Sequence, residues 1–480
     1  MSWYSRIASE SGAATVWHAG RDAKLLCAQR FVRLFAYGAS FLVLVPFLSS
    51  LGISDAKIGL FMTLTLLGDV VISLILTAIT DRIGRRRILS VGAVLMASSG
   101  IVFATTRHSF LVLLVASIVG VISPSGNEIG PFRAVEESVL AQLTPAAQRT
   151  DMFAWYTLFG TAGTALGSLA SGAIVQSFQD KLGEQGHDKA YRVIFFMYAG
   201  IGVIKLFLTL ALSSAVEAAH MVRPAPESAG ENQPLLGDEA NACPTKMPKP
   251  KTSVLGYLQS LVPHISPESR GILYGLILLF ALDSFASGMA SPSWITYFFI
   301  TVHTLAPAIL GTLFLVTNIL ASFSNLLALP LARRLGPLKT MAFTHLPSAI
   351  FLGLVPVPPP SKDSPLGTPM AMAFLALRAC TQSMDQAPRQ AFLSAAVLPA
   401  ERTAVMGVVN TVKTLMQAVG VGFSGILAGR HQWVLLLGGA GALKATYDLL
   451  LLWNFSHLRH RQEEEHERAV PTTLEEESRA

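Results

Sequence analysis

Charged side chains stand inside long apolar runs of this sequence, where a charge is costly and a functional role is the default reading. Asp69 lies in the middle of the second such run and Asp283 in the seventh. The fourth run carries Glu128, Arg133, Glu136 and Glu137, and the tenth carries Arg378, Asp385 and Arg389. Low dielectric disfavours the ionised form of a carboxylate, so an acid so placed can hold a proton and release it when water arrives. Asp283, Glu128 and Asp385 have the type and position for that work. Arginine keeps its charge, so Arg133 could neutralise one of these acids or bind an anionic molecule. The competing reading is structural: Glu128 paired with Arg133, or Glu136 and Glu137 exposed at a helix end. Lys444 and Asp448, four apart in the last run, have the spacing of a pair on one helix face. Lys205 and Lys413 could snorkel or line a cavity.

The elements that must position these groups are membrane helices. Of the 480 residues, 51% are hydrophobic and only 14% charged, where a soluble surface would need about 25%. Mean hydropathy is +0.50. Apolar runs recur from end to end, each long enough to cross roughly 30 Å of hydrocarbon. About twelve are predicted. Six span Phe31–Leu51, Ile58–Thr80, Ile88–Thr105, Leu111–Leu143, Met152–Val175 and Val193–Leu212. Six more span Ile272–Phe299, Leu305–Leu329, Thr340–Val357, Met370–Ala395, Thr403–Leu427 and Trp433–Trp453. The fourth is too long for one crossing and holds Ser-Pro-Ser-Gly (Ser123–Gly126) and Gly130-Pro131, so a bent or broken helix is expected there.

This organisation predicts an N-terminal tail over residues 1–30, a first bundle over 31–213 and a second over 270–455, with a charged tail over 456–480. The stretch 214–269, rich in Pro, Glu, Ala and Lys, reads as a mostly disordered linker, with a surface helix over Ser253–Val262. Within it, Glu231–Leu236 fits an acidic-dileucine sorting pattern. The pI near 9.2 does not imply nucleic acid, because the basic residues sit in short loops beside apolar runs. Their bias places both termini on the cytoplasmic side. Three separated cysteines, Cys27, Cys243 and Cys380, give neither a disulfide framework nor a metal site, and no cofactor is implied.

An internal duplication is the most informative pattern. Thr80–Arg87 aligns with Ala332–Lys339, so that Arg82 maps to Arg334 and Gly84 to Gly336, an offset of 252. Separately, Gln148-Arg149-Thr150 aligns with Glu401-Arg402-Thr403, and Gly167 and Gly172 map to Gly420 and Gly425, an offset of 253. Two unrelated motifs at nearly one offset indicate two six-helix halves in parallel repeat, with a cavity where they meet.

Asp81-Arg82-Ile83-Gly84-Arg85-Arg86, after the second run, resembles the Gly-x-x-x-Asp-Arg-x-Gly-Arg-Arg signature of the major facilitator superfamily. Thr77 stands where that family has Gly. The resemblance implies an all-α integral membrane fold of two pseudo-symmetric six-helix bundles. It also implies a cytoplasmic gate held by Asp81, Arg82, Gly84, Arg85 and Arg86. Gly84 permits the turn, and Asp81 can pair with the arginines or with a helix N-terminus. Gly163, Gly167 and Gly172 in the fifth run have the small-residue spacing that lets helices approach closely.

The function these readings support is secondary active transport of a small organic molecule by alternating access, as proton-coupled export. Uptake of an anionic nutrient, favoured by Arg133, Arg378 and Arg389, is the alternative, followed by a non-transporting sensor of the same fold. A monomer in the plasma membrane, ahead of the vacuolar membrane, is expected. An enzyme is disfavoured, because no nucleotide loop, zinc-protease motif or nucleophile elbow is present.

Overall fold

The computed structural model describes residues 13–106, 109–120, 122, 131–145, 148–183, 186–217, 267–360, 362–386, 388–389 and 402–469. A short α1 (Ala13–His18) precedes the first half. That half comprises α2 (Arg21–Ser50), α3 (Asp55–Ile83), α4 (Arg85–Thr105), α5 (Phe110–Gly120), α6 (Pro131–Leu143), α7 (Arg149–Leu182) and α8 (Gly186–Leu210). The second half comprises α9 (Pro267–Met289), α10 (Pro292–Thr301), α11 (Pro307–Leu335), α12 (Pro337–Leu354), α13 (Gly367–Ala379), α14 (Arg402–Gly429) and α15 (Gly439–Ala469), the last entered through a π turn at Val434–Gly438. Nine spans among the described residues are long and apolar enough to cross a membrane.

The duplication read from the sequence is present in the helix ends. Both α3 and α11 have 29 residues, and each starts and stops 252 positions from its counterpart. Each is closed by a glycine at positive φ, Gly84 at 106° and Gly336 at 80°, which also opens the next helix. Only glycine adopts that backbone without strain, so one turn is built twice.

Among the described residues two spans break before a proline, and a third, the tenth, expected over Met370–Ala395, leaves the helix after Ala379. The fourth is broken as expected, with α5 ending at Gly120 and α6 beginning at Pro131. The seventh, expected as one helix over Ile272–Phe299, breaks after Met289 and restarts at Pro292. Proline has no N–H to continue the ladder but fits a first helical turn, where no donor is needed. The helix α2 begins ten residues before the expected Phe31 and α7 runs beyond both expected ends. The helix α15 continues to Ala469, past the expected end of the bundle at 455. The surface helix over Ser253–Val262 and the sorting pattern lie outside the described residues.

Buried apolar side chains fall into three clusters among the described residues. The largest spans both halves, bringing Phe41, Phe47 and Phe61 together with Trp294, Phe298 and Phe314. The other two stay within one half each. Leu26, Leu89, Val139 and Leu212 belong to the first, and Leu279, Met341, Val409 and Leu451 to the second. The halves therefore share one core toward the end bearing residues 51–54 and have separate cores toward the end bearing Ala23 and Leu338.

Glycine seams hold the joined end. A Cβ at Gly172 would lie 2.4 Å from the Pro307 carbonyl oxygen and 3.1 Å from the Gly311 Cα. Its repeat partner, Gly425, would meet the Asp55 carbonyl at 2.5 Å and the Gly59 Cα at 2.7 Å. Thr63 also donates to the Ala418 carbonyl at 2.8 Å, and the Tyr297 hydroxyl donates to the Asp55 carboxylate at 3.1 Å. Close backbone approach is how membrane helices gain packing energy without a hydrophobic drive. Alanine at Gly425 is expected to force α3 and α14 apart at a cost of about 1–3 kcal/mol. Spin labels at Ser54 and His431 should then report a longer mean distance than in the wild type. An unchanged distribution would contradict the seam.

Candidate functional site

Each half carries a buried charge network, built from helices far apart in sequence. In the first half the acid is Glu136 on α6, with no exposure to solvent. Arg33 of α2 reaches it at 2.7 Å, Lys205 of α8 at 3.2 Å, and the Tyr156 hydroxyl of α7 donates to it at 2.6 Å. Arg30, one turn before Arg33, stacks on the Tyr156 ring at 4.7 Å. Four helices are thereby tied to one carboxylate.

In the second half the central acid is Asp283 on α9. Lys444 of α15 donates to it at 2.7 Å, and Arg389, in the tenth span beyond α13, approaches at 3.2 Å. Arg389 also binds Asp385 and lies over the rings of Phe280 and Tyr447. His345 of α12 bridges, with Nδ1 2.9 Å from Asp448 and Nε2 3.8 Å from Asp283.

The two networks occupy matching places with acid and base exchanged. Phe35 and Phe285, whose carbonyls face the repeat partners Gly167 and Gly420, stand 250 apart, and so do Arg33 and Asp283. Glu136 precedes Arg149 by the same number of residues as Arg389 precedes Arg402. Lys205 and Lys444 each follow by three the glycine, Gly202 or Gly441, that packs on the third or ninth span. An arginine–glutamate pair across α2 and α6 thus becomes an aspartate–arginine pair across α9 and the tenth span. The lysine keeps its place in both.

The other expected site residues fall as follows. Asp69 is fully buried in α3, and neither carboxylate oxygen has a hydrogen-bond partner among the described residues. Glu128 lies outside the described residues. Arg133 does not reach either network. It is exposed and pairs with Glu137 one turn away, at 2.7 Å, because that face of α6 points outward. Glu136, which the structural reading placed exposed at the helix end, is instead the buried hub. Arg378 on α13 has a buried Nε with no hydrogen-bond partner among the described residues. Lys444 and Asp448 do not pair with each other. They lie on one side of α15, but Lys444 reaches α9 and Asp448 reaches α12.

The loop motif is organised by a residue that sequence reasoning assigned to the linker. The Glu217 carboxylate accepts the Arg85 backbone N–H at 2.7 Å and that of Arg86 at 3.2 Å, closing the N-terminus of α4. These donors have no partner within their own helix, and the helix dipole favours an anion there. The Arg85 side chain donates to Gln142 of α6 at 2.6 Å, and Gln142 returns to the Ala215 and Glu217 carbonyls. The Arg86 side chain caps the Leu210 carbonyl at the end of α8. The side chains of Asp81 and Arg82 lie outside the described residues, although both belong to α3. Gly163 and Gly167 pack on the Phe31 and Phe35 carbonyls of α2, while Gly172 faces α11.

Two repeated six-helix halves, sharing a core at one end and holding separate cores with buried charges at the other, define a polytopic helical membrane protein of the transporter class. The chain belongs to the Major Facilitator Superfamily, whose profile matches residues 26–260 and 273–477. It is 36% identical over 438 residues to the uncharacterized membrane protein YJR124C of Saccharomyces cerevisiae, covering 91% of this chain and 94% of that one. A second relative is the quinolone resistance protein NorA of Staphylococcus aureus, 21% identical over 182 residues, covering 38% of this chain and 42% of that one. Among solved structures, a D-xylose–proton symporter has the same fold, with a TM-score of 0.64 at 15% identity, covering 89% of this chain and 96% of that one.

Removing one member of a buried ion network leaves the others uncompensated. Glu136→Gln strands Arg33 and Lys205 together and is expected to cost about 3–5 kcal/mol. Tyr156→Phe removes one hydrogen bond and should cost about 1 kcal/mol. Thermal unfolding of the purified protein in detergent checks the order, and equal effects would refute Glu136 as hub.

Proposed function

We propose that this chain is a proton-coupled secondary transporter of a small organic molecule, with Asp69 as the proton-binding group. The observation that carries the proposal is the isolation of Asp69. Glu136, Asp283 and Asp385 each have a Lys or Arg within ion-pair reach and Asp448 has the His345 imidazole, whereas the carboxylate of Asp69 has no partner among the described residues. A lone ionised carboxylate away from water is so costly that it takes up a proton instead. In a protein that alternates between two openings, such a group is neutral when enclosed and loses its proton when water reaches it. Asp283 and Asp385, named with Glu128 from sequence as proton carriers, have bases against them and fit a structural role better.

Alternating access follows from the same architecture. The halves are joined by the glycine seams at one end and have separate cores at the other, so rocking about the centre would part the seams and close the terminal end. The Glu217–Arg85–Gln142 network ties α4, α6 and the end of α8 together at that end. It would let the terminal end of the first half move as one piece. Export is the direction we favour, consistent with the partial likeness to a quinolone resistance protein. The terminal end would face the cytoplasm, as the basic loops suggest, with the chain acting as a monomer in the plasma membrane. A second reading, uptake of an anionic nutrient, is favoured by the cations Arg389 and Lys413 around Phe280.

Flux in proteoliposomes under an imposed pH gradient tests the proposal, with organic cations, organic anions and sugars as substrates. Wild-type flux should follow the gradient. Asp69→Asn, neutral at every pH, should lose accumulation against a gradient by at least about tenfold while keeping downhill exchange. Gradient-driven flux that survives in Asp69→Asn would remove Asp69 from the mechanism. Wild-type flux indifferent to pH would remove proton coupling.

A further inference from the structure

The charges gathered around Asp283 can be matched one against another. His345 takes Asp448 at 2.9 Å, Lys444 takes Asp283 at 2.7 Å, and Arg389 takes Asp385 while also touching Asp283 at 3.2 Å. Three carboxylates are thus met by three bases. A fourth base remains. Lys413 of α14 has no carboxylate within ion-pair distance among the described residues, and its ammonium stands over the Phe280 ring at 5.7 Å.

Its surroundings set what it can do. The charged groups near it are Arg389, Asp283, Asp385 and Lys444, and each of these is already engaged with another. Lys413 is only half-buried. It lies one turn before Gln417, on the stretch of α14 that precedes the seam with α3. At that level the two halves have separate cores, and Val409, one turn earlier, belongs to the core of the second half alone. Cation–π attraction to a single ring leaves most of an ammonium's charge uncompensated, whereas an anion beside it would neutralise that charge. The rings on its inner side, Phe280 and Tyr447, are enclosed in the core of the second half, so only the outer side of the ammonium is open to a ligand.

We propose that Lys413 binds an anionic group of the transported molecule, and that the substrate is therefore a small organic anion. This rests on the transporter reading and names the class of molecule carried. It is independent of direction and of Asp69.

The test is thermal unfolding of the full-length protein in detergent, with benzenesulfonate, benzoate and acetate each compared with its uncharged amide at equal ionic strength. At least one anion should raise the melting temperature saturably while its amide does not. Lys413→Gln should weaken that response at least about tenfold, and Lys413→Arg, which keeps the charge, should retain it. Asp69→Asn should respond like the wild type, which separates failure of this site from failure of proton coupling. Equal stabilisation by acid and amide, an undiminished response in Lys413→Gln, or no response to any of the anions would overturn the assignment. A cooperative unfolding transition in Lys413→Gln without ligand shows that the variant is folded.

Discussion

An ionised side chain away from water must meet an opposite charge or give up its own, and this rule shapes both halves of the protein. Glu136 draws Arg33, Lys205 and Tyr156 onto itself, and Asp283 draws Lys444, Arg389 and His345. Each network ties together helices that are far apart along the chain. The cost of desolvating these charges is several kcal/mol per ion, recovered only when the geometry is good. A misplaced helix therefore leaves a stranded charge, which fixes register more sharply than apolar packing does. The exchange of acid and base between the halves shows that matching is what the fold requires. Which helix carries which sign is open.

The seam between the halves obeys a different rule. Gly172 against Gly311 and Gly425 against Gly59 contribute no charge, and their contact is backbone on backbone. Such surfaces can part without exposing an unpaired ion. The costly interactions therefore lie within each half and the inexpensive ones between them. That division fits the proposed rocking of the two halves.

Much of this was legible in the sequence, and the residues show why the rest was not. Twelve apolar runs, the Asp81–Arg86 loop and the two offsets of the duplication were enough for the fold and the family, because each is a local or periodic pattern. Asp69, Asp283, Asp385 and Arg389 were also visible, as charges at membrane depth. The network around Glu136 was not, since its partners lie 103 and 69 positions away along the chain. Glu136 stands beside Glu137 near a helix end, which invited a solvent-facing reading. Lys444 and Asp448 misled in the opposite way, because helix spacing says which side chains share a face and not what that face meets. The repeat held an unused signal: Arg33 and Asp283 occupy one position in the two halves. Glu217 had no signal beyond standing after the sixth span.

Among the described residues four buried acids meet a base and Asp69 meets none, and dicyclohexylcarbodiimide, which attacks protonated carboxyl groups in apolar surroundings, tests directly whether Asp69 holds a proton. Mass spectrometry of the labelled wild-type protein across pH 5 to 9 would locate the adducts. The account predicts labelling at Asp69 that declines as pH rises, with Glu136, Asp283, Asp385 and Asp448 spared throughout. An unlabelled Asp69, or equal labelling of the matched acids, would contradict it.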